Sequence, residues 1–449
     1  MSSTTVDDVV GNAKFNSYHL RVMVLCGLLM IADGYDLVSF GTVITHLMDE
    51  WDMNAVTAGL LGSMALVGMF FGGLFVSPLA DKHGRRSIII ACLILASIAS
   101  FTCAWVNDPL TMGALRFAVG VALGGLVPNF IAMTSEFAPR KSKALMVTVV
   151  TSLYSVGGVA AALLAIYIEP VLSWRGVFYV AGLSILLLPL ILRYLPESPE
   201  FLALKGERAR LEQILRRIDP GCEPGSVSSS KQRAAEDSRV RQLVSGGNAL
   251  NSILIWLFFA MCMLLSYGLN TWLPKLMQQA GYELGAGLWT LVVLNAGGLV
   301  GAISGGWIAD RWTFRGTLIT YFSLASLSLF ALSFNPGAIL LNTLMFIAGA
   351  ATIGVLSIIH AFAVEYYPVH IRTTGVGWAA GMGRCGAIAG PSLGGALVAL
   401  SLPFQQNFLI FAAPGVVGVI AVALVANRKY RDRIHQNATS GPVPATATL

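Results

Sequence analysis

Apolar residues come in long runs along this chain, and polar residues gather in the short gaps between them. The runs fall near 20–44, 55–79, 88–106, 110–135, 144–168, 176–195, 251–274, 285–309, 317–334, 337–364, 372–400 and 404–426. A helix needs about 20 apolar residues to cross the hydrocarbon core of a bilayer, and inside lipid every backbone polar group must be satisfied within the structure. The pattern therefore predicts twelve membrane-crossing helices. Two stretches break it. Residues 196–250 are polar, and their middle, PGCEPGSVSSSKQRAAEDS, has the composition of a flexible segment. Just before that middle, Leu202–Ile218 has the spacing of a short amphipathic helix on the membrane surface. The tail from Asn427 is basic and then of low complexity. The opening MSSTTVDDVVGNAKFNSYH has no apolar core or cleavage site and reads as a short polar tail.

Composition narrows the class. The 449 residues are 55% hydrophobic and 12% charged, against about 25% charged in soluble domains. The 47 glycines occur within the apolar runs, where small residues let membrane helices approach closely. The net charge of +6 is not a nucleic-acid signal, because the basic residues are scattered over the ends of the runs. Lys14, Arg21, Lys82, Arg85, Arg86, Arg140, Lys141, Lys143, Arg311, Arg315 and Arg372 fall in alternate gaps, and the other gaps hold only Arg175 and Lys275. By the positive-inside rule both termini are cytoplasmic. The six cysteines show no metal or disulfide spacing. With no phosphate loop, HExxH or GxSxG motif, the chain is not read as an enzyme, and no metal or cofactor is expected.

The two halves repeat. Asp81 and Asp310, Glu136 and Glu365, and Pro139 and Pro368 are each 229 residues apart (310 − 81, 365 − 136, 368 − 139), and Gly68/Gly297 and Gly72/Gly301 keep the same offset. Parallel repeats of six helices are a known transporter architecture. The organisation predicted is a six-helix bundle over 1–195, a cytoplasmic loop over 196–250, a second six-helix bundle over 251–426 and a cytoplasmic tail over 427–449.

Charges inside the runs carry the chemistry. Asp33 and Asp36 sit in the first run at i, i+3, on one helical face. An Asp at the bilayer centre costs about 2.5–3.5 kcal/mol even on the gentler scales, so that face belongs to a polar cavity or a partner. Arg116, in the fourth run, lies at a depth where it can pair with one of them. An Asp alternating between an Arg partner and a desolvated setting is a proton carrier; the plainer alternative is a permanent helix-packing salt bridge. Arg384, near the middle of the eleventh run, has no acid at its depth in the second half. It suits a carboxylate substrate, or a bridge to the first half or to backbone carbonyls.

A family resemblance rests on these residues. Gly72-Gly73-Leu74 with Leu79-Ala80-Asp81-Lys82-His83-Gly84-Arg85-Arg86, Arg116 with Gly120 and Gly124-Gly125, and Pro196-Glu197-Ser198-Pro199-Glu200-Phe201-Leu202 resemble the major facilitator superfamily. Asp33-Gly34-Tyr35-Asp36, and the run from Arg372-Thr373-Thr374-Gly375 through Arg384 to Gly390-Pro391, resemble the aromatic acid:proton symporters of bacteria. The resemblance implies an all-α polytopic protein of the bacterial inner membrane, with twelve helices in two six-helix bundles. It implies proton-coupled import of benzoate, hydroxybenzoates, gentisate or a similar acid. Another organic anion, a sugar, or a membrane sensor of aromatic acids are the alternatives. Protons, the aromatic carboxylate and the bilayer are then its partners.

On this reading Asp33, Asp36 and Arg116 couple the proton, and Arg384, Tyr35, Tyr154 and Asn270 meet the substrate. Asp81, Arg85 and Arg86 gate against the other bundle, Glu136 locks with Arg140 across the pseudo-twofold, and Asp310, Glu365 and Arg372 repeat these contacts. The second loop, Asp310-Arg311-Trp312-Thr313-Phe314-Arg315, lacks the Gly and first Arg of its counterpart. His360 is either a structural histidine or part of a proton relay.

Overall fold

The structure, a computed structural model, describes residues 5–219, 243, 249–367 and 371–425. A short helix, α1 (Val6–Asn12), precedes α2 (Ser17–Glu50), α3 (Ala55–Phe71) and its continuation α4 (Ala80–His83), then α5 (Arg85–Cys103), α6 (Pro109–Glu136) and α7 (Lys143–Leu172). Next come α8 (Arg175–Gly182) with its continuation α9 (Leu188–Tyr194), and two short helices, α10 (Pro199–Lys205) and α11 (Arg208–Ile218). The second half holds α12 (Ala249–Gln279), α13 (Leu284–Arg311), α14 (Phe314–Leu332), α15 (Ala338–Thr352) with its continuation α16 (Leu356–Tyr366), α17 (Arg372–Ala399) and α18 (Phe404–Leu424).

Among the described residues, 11 helices are long and apolar enough to cross a membrane. They correspond to eleven of the predicted runs. The remaining run, 372–400, is helical as α17 and 28 residues long, but its glycines and its two arginines keep it less apolar than the rest. The chain is an all-α polytopic membrane protein. The helices also outrun their apolar segments. Asn16 accepts from the Tyr18 and His19 backbone N–H groups, which starts α2 before the apolar run, and α2 continues to Glu50.

Packing repeats with the sequence. The helix α2 lies along α7, α3 along α6 and α5 along α6; the counterparts α12–α17, α13–α15 and α14–α15 do the same. Glycines set the distances. Gly68 rests on the Phe117 carbonyl and Val121 amide, and Gly297 on the Phe346 carbonyl and Ala350 amide. The offsets 297 − 68, 346 − 117 and 350 − 121 are all 229. The 229-residue period is thus a repeated helix crossing, which a Cβ at either glycine would push apart. The halves differ in two places. A π-helical turn, Gly72–Val76, extends α3, whereas α13 runs unbroken; and α15 and α16 are separated at Ile353–Val355, whereas α6 is continuous.

Two expectations are corrected at the chain's polar ends. The N-terminal tail is not featureless: Thr5 and Asp8 form a capping box at the start of α1, which buries Val6, Val9 and Val10. The segment 202–218 is not one helix on a membrane surface. Gly206, at φ 72°, breaks it into α10 and α11, and α11 buries Leu211, Leu215 and Ile218 against α1 and the start of α2. The Asn16 amide donates to the Arg217 and Ile218 carbonyls at 3.2 and 3.0 Å. The flexible segment expected in the central loop and the basic tail from Asn427 lie outside the described residues.

The halves meet closely on the side where α2 ends, the far side. There Gly41 touches the Asn270 backbone, Gly59 the Pro391 carbonyl and Gly395 the Ala55 carbonyl. Ser63 Oγ donates to the Ile388 carbonyl at 2.7 Å and lies 2.7 Å from Ser392 Oγ. Toward the near side, where α2 begins, Gly377 and Gly381 share a face of α17 with Arg384, and a Cβ at either would meet nothing within 4 Å among the described residues. The two halves therefore close at the far side and part toward the near side.

Within the first half, Gly34 lies directly on the Tyr154 carbonyl. Gly34→Ala is expected to wedge α2 from α7 at a cost of about 1–3 kcal/mol, read as a lower unfolding temperature in detergent. Gly377→Ala, in open space, is expected to leave it unchanged.

Candidate functional site

The first helix brings two aspartates into the protein interior. Asp33 is 2% exposed and Asp36 5%, and their environments differ sharply. Asp36 Oδ1 accepts from Arg116 Nη1 at 2.6 Å, the Arg116 Nη2 reaches the Asp36 carbonyl at 3.3 Å, and Ser100 Oγ donates to Asp36 Oδ2. Arg116 is fully enclosed, 1% exposed, with its guanidinium carbon 5.5 Å from the centre of the Phe40 ring. Asp33 Oδ1, by contrast, has no hydrogen-bond partner among the described residues. One carboxylate is held by a charge-assisted pair, and the other is buried and open to a change of partner.

Around Asp33 the other candidate residues converge from both halves. Tyr154 on α7 and Tyr267 on α12 bring their hydroxyls together, and both lie within electrostatic reach of Asp33. Arg384 on α17 faces Asp33 and Tyr267. Its guanidinium covers Gly73 and donates to the Met69 carbonyl, at the start of the π-helical turn of α3. Such turns re-aim backbone carbonyls and recur at functional sites. The bridge to the first half that the sequence left open is therefore the arrangement seen here. His360 stacks edge-on with Phe259 at 5.3 Å and lies near Arg384.

Asn270 and Asn295 are buried together, with Asn295 Nδ2 donating to Asn270 Oδ1 at 2.9 Å. The Asn270 amide is returned to the Ser266 carbonyl at 2.8 Å. Asn295 Oδ1 sits against Gly158 of α7, which makes the pair a joint between the halves. Tyr35 does not join this cluster. Its side chain points the other way, and its hydroxyl donates to the Val177 carbonyl at 3.1 Å.

The loop charges form a network inside the first half. Arg85 Nη2 lies 2.6 Å from Glu136 Oε1, Ser198 Oγ also donates to Glu136, and Arg86 donates to the Leu192 carbonyl and, through its backbone, to Glu197. Arg140 differs from the expected lock with Glu136: it pairs with Asp7 and Asp8 of α1 at 3.2 and 2.8 Å. Asp81 is exposed. In the second half Arg315 repeats Arg86 (315 − 86 = 229) by donating to the Ala423 carbonyl. Phe314 stands where the first half has Arg85, so Glu365 lacks that partner and is exposed, as is Asp310. Arg372 turns to the Tyr367 carbonyl at 3.4 Å. Arg85, Arg86, Arg140, Arg315 and Arg372 thus engage their own half.

Sequence reading passed over Ser100, Ser63 and Ser392, because an isolated serine in an apolar run carries no signal until a second helix supplies its partner. Among the described residues no group of His, Cys, Asp and Glu could hold a metal.

Known proteins place this arrangement. Residues 25–355 and 305–448 match the Major Facilitator Superfamily. The chain belongs to the major facilitator superfamily. It is 38% identical over 434 residues to the benzoate transport protein of Acinetobacter baylyi, covering 94% of this chain and 93% of that one. It is 31% identical to the gentisate transporter of Corynebacterium glutamicum, covering 90% and 87%. These relatives put it with the aromatic acid symporters that its first-helix motif resembles. Its fold matches the inward-open xylose transporter XylE of E. coli with a TM-score of 0.72 at 15% identity, over 91% of this chain and 96% of that one.

Removing one member of the Arg116–Asp36 pair strands the other. Arg116→Gln is expected to cost about 3–5 kcal/mol. Arg116→Gln with Asp36→Asn is expected to cost less than the two single changes summed. Unfolding of the four proteins in one detergent tests this as a double-mutant cycle.

Proposed function

We propose that the protein imports an aromatic carboxylate together with protons by alternating access. The reading rests above all on Asp33, a buried carboxylate facing a midplane arginine, with its Oδ1 without a hydrogen-bond partner among the described residues. The chain crosses the bacterial inner membrane twelve times, with both termini cytoplasmic. Residues 1–195 and 251–426 form two six-helix bundles, joined by the loop 196–250 and followed by the tail 427–449. The near side is then the cytoplasm, and the structure's parted near side corresponds to an inward-facing state.

In this reading Arg384 exchanges partners. Without substrate its guanidinium rests on the Met69 carbonyl; with substrate it turns to the carboxylate, whose two oxygens match its fork. Tyr154 and Tyr267 supply the ring walls and hydroxyls beside it. Asn270 acts through Asn295 at the joint between bundles, and Tyr35 steadies the first helix. Protonation of Asp33 removes a buried negative charge, which lets the bundles move past each other without exposing an ion to an apolar wall. Asp36 stays with Arg116 until the outward-facing state changes its surroundings.

Coupling has an energetic reason. A carboxylic acid with a pKa near 4 is an anion at neutral pH, and an inside-negative potential opposes its entry by about 2.3 kcal/mol per charge per 100 mV. One co-transported proton cancels that charge. The loop ions serve the same cycle. The Arg85–Glu136 pair, the Arg86 contacts and the Arg140 bridge to α1 stiffen the cytoplasmic end of the first bundle. Asp81, Asp310, Glu365 and Arg372 engage the partner bundle when the cytoplasmic side closes, Arg372 leaving the Tyr367 carbonyl.

Proteoliposomes carrying the protein are expected to accumulate labelled benzoate, 3-hydroxybenzoate or gentisate under an inward proton gradient, and to lose the accumulation with a protonophore. Asp33→Asn is expected to abolish accumulation in a protein that unfolds no earlier than the parent; normal accumulation would remove Asp33 from the coupling. Arg384→Lys is expected to raise the Kd for the preferred acid about tenfold, the loss of one charged hydrogen bond of roughly 1.5 kcal/mol. Isothermal titration of both proteins checks it.

A further inference from the structure

A second buried acid lies at the far end of the first bundle. Glu169, three residues before the end of α7, has a side chain only 5% exposed, and His46 Nδ1 of α2 lies 3.2 Å from its Oε2. The approach is off the hydrogen-bond line, and neither Glu169 oxygen has an aligned donor among the described residues. The His46 side chain is 40% exposed, so one edge of the pair is at the protein surface and the other is buried. Asp49 and Glu50 of the same helix face His46 electrostatically. Glu50 is itself claimed by Arg175 at 2.9 Å and by the Trp174 indole, which leaves Glu169 as the acid in contact with the imidazole. On the inner side of the pair, Tyr35 lies within electrostatic reach of both Glu169 and Asp36.

We infer that His46 and Glu169 form the port through which the coupling proton enters from the far side. The inference rests on the proton-coupled reading above. A buried carboxylate whose contact is a histidine is neutralised by one proton shared between them. Far-side water protonates His46 at Nε2; the proton on Nδ1 passes to Glu169 Oε2; and Glu169 gives it up toward Asp36, past Tyr35, when the far side opens. The imidazole is returned to its neutral form, and the carboxylate of Asp36 or Asp33 takes the proton. The pair holds a proton next to the pathway when free protons are scarce. Its removal therefore matters most at high external pH.

The test is net uptake of the preferred aromatic acid into proteoliposomes as a function of external pH, for the parent, Glu169→Gln and His46→Arg. Counterflow exchange, which needs no net proton movement, is measured on the same vesicles. Both variants are expected to retain counterflow. Their net uptake is expected to fall about a hundredfold at pH 7.5, the lower end of the range for loss of a proton-transfer group, and to approach the parent at pH 5.5. His46→Arg keeps a positive charge on Glu169 but cannot release a proton, so it separates the port from a structural ion pair and serves if Glu169→Gln does not fold. Parent-like pH profiles in folded variants, or equal losses of counterflow and uptake at every pH, would overturn the port. Parent protein that accumulates nothing under a proton gradient would instead overturn the symport reading on which it rests.

Discussion

A guanidinium enclosed among membrane-spanning helices must keep an anion beside it. That requirement fixes Arg116 to Asp36, and through them α6 to α2. Ser100 from α5 completes the carboxylate's shell, so three helices converge on one ion pair. Its near neighbour Asp33 shares the helical face but has no such partner. The contrast between a satisfied and an unsatisfied carboxylate, one turn apart, is what gives the first helix its chemistry. Charge in a low-dielectric interior is tolerable only when neutralised: Asp36 is neutralised by a fixed arginine, and on the proposed reading Asp33 is neutralised by a mobile proton.

The second constraint is distance. Polar groups on α2, α7, α12 and α17 can meet only because glycines let the backbones come close. Gly34 sits on Tyr154, Gly158 on Asn295 and Gly73 under Arg384. The Gly68 and Gly72 crossings recur 229 residues later at Gly297 and Gly301, so these helix pairs of one half predict those of the other. Where the repeat fails, the failure is local and chemical. Among the described residues the π-helical turn appears only after α3, and it is there that Arg384 reaches across. Arg85 has no counterpart beyond Phe314, and there Glu365 is left at the surface.

Closure on one side and opening on the other follow from where the small residues lie. Gly59, Gly395 and Ser63 bring α3 and α17 into contact at the far side, while Gly377 and Gly381 present an open face toward the near side. The loop charges accordingly engage their own half. Arg140 is the clearest case: the short helix α1 supplies Asp7 and Asp8 at its first turn, so the arginine is committed before the other half approaches.

Much of this was legible in the chain. Apolar runs of spanning length dictate helices, because lipid leaves no other way to satisfy the backbone. The 229-residue offset dictates a repeated packing, and two aspartates with an arginine at matching depth dictate a buried ion pair. Which aspartate takes the arginine could not be read, since both lie on one face and the choice depends on where α6 crosses. Tyr35 faces away from the cluster for the same reason: helical spacing gives its angle, but only the position of α8 gives its partner. The docking of α1, the seating of α11 against α1 and α2 and the pairing of His46 with Glu169 join segments far apart in sequence. Such contacts depend on how the helices are placed in three dimensions, which the tertiary structure alone decides.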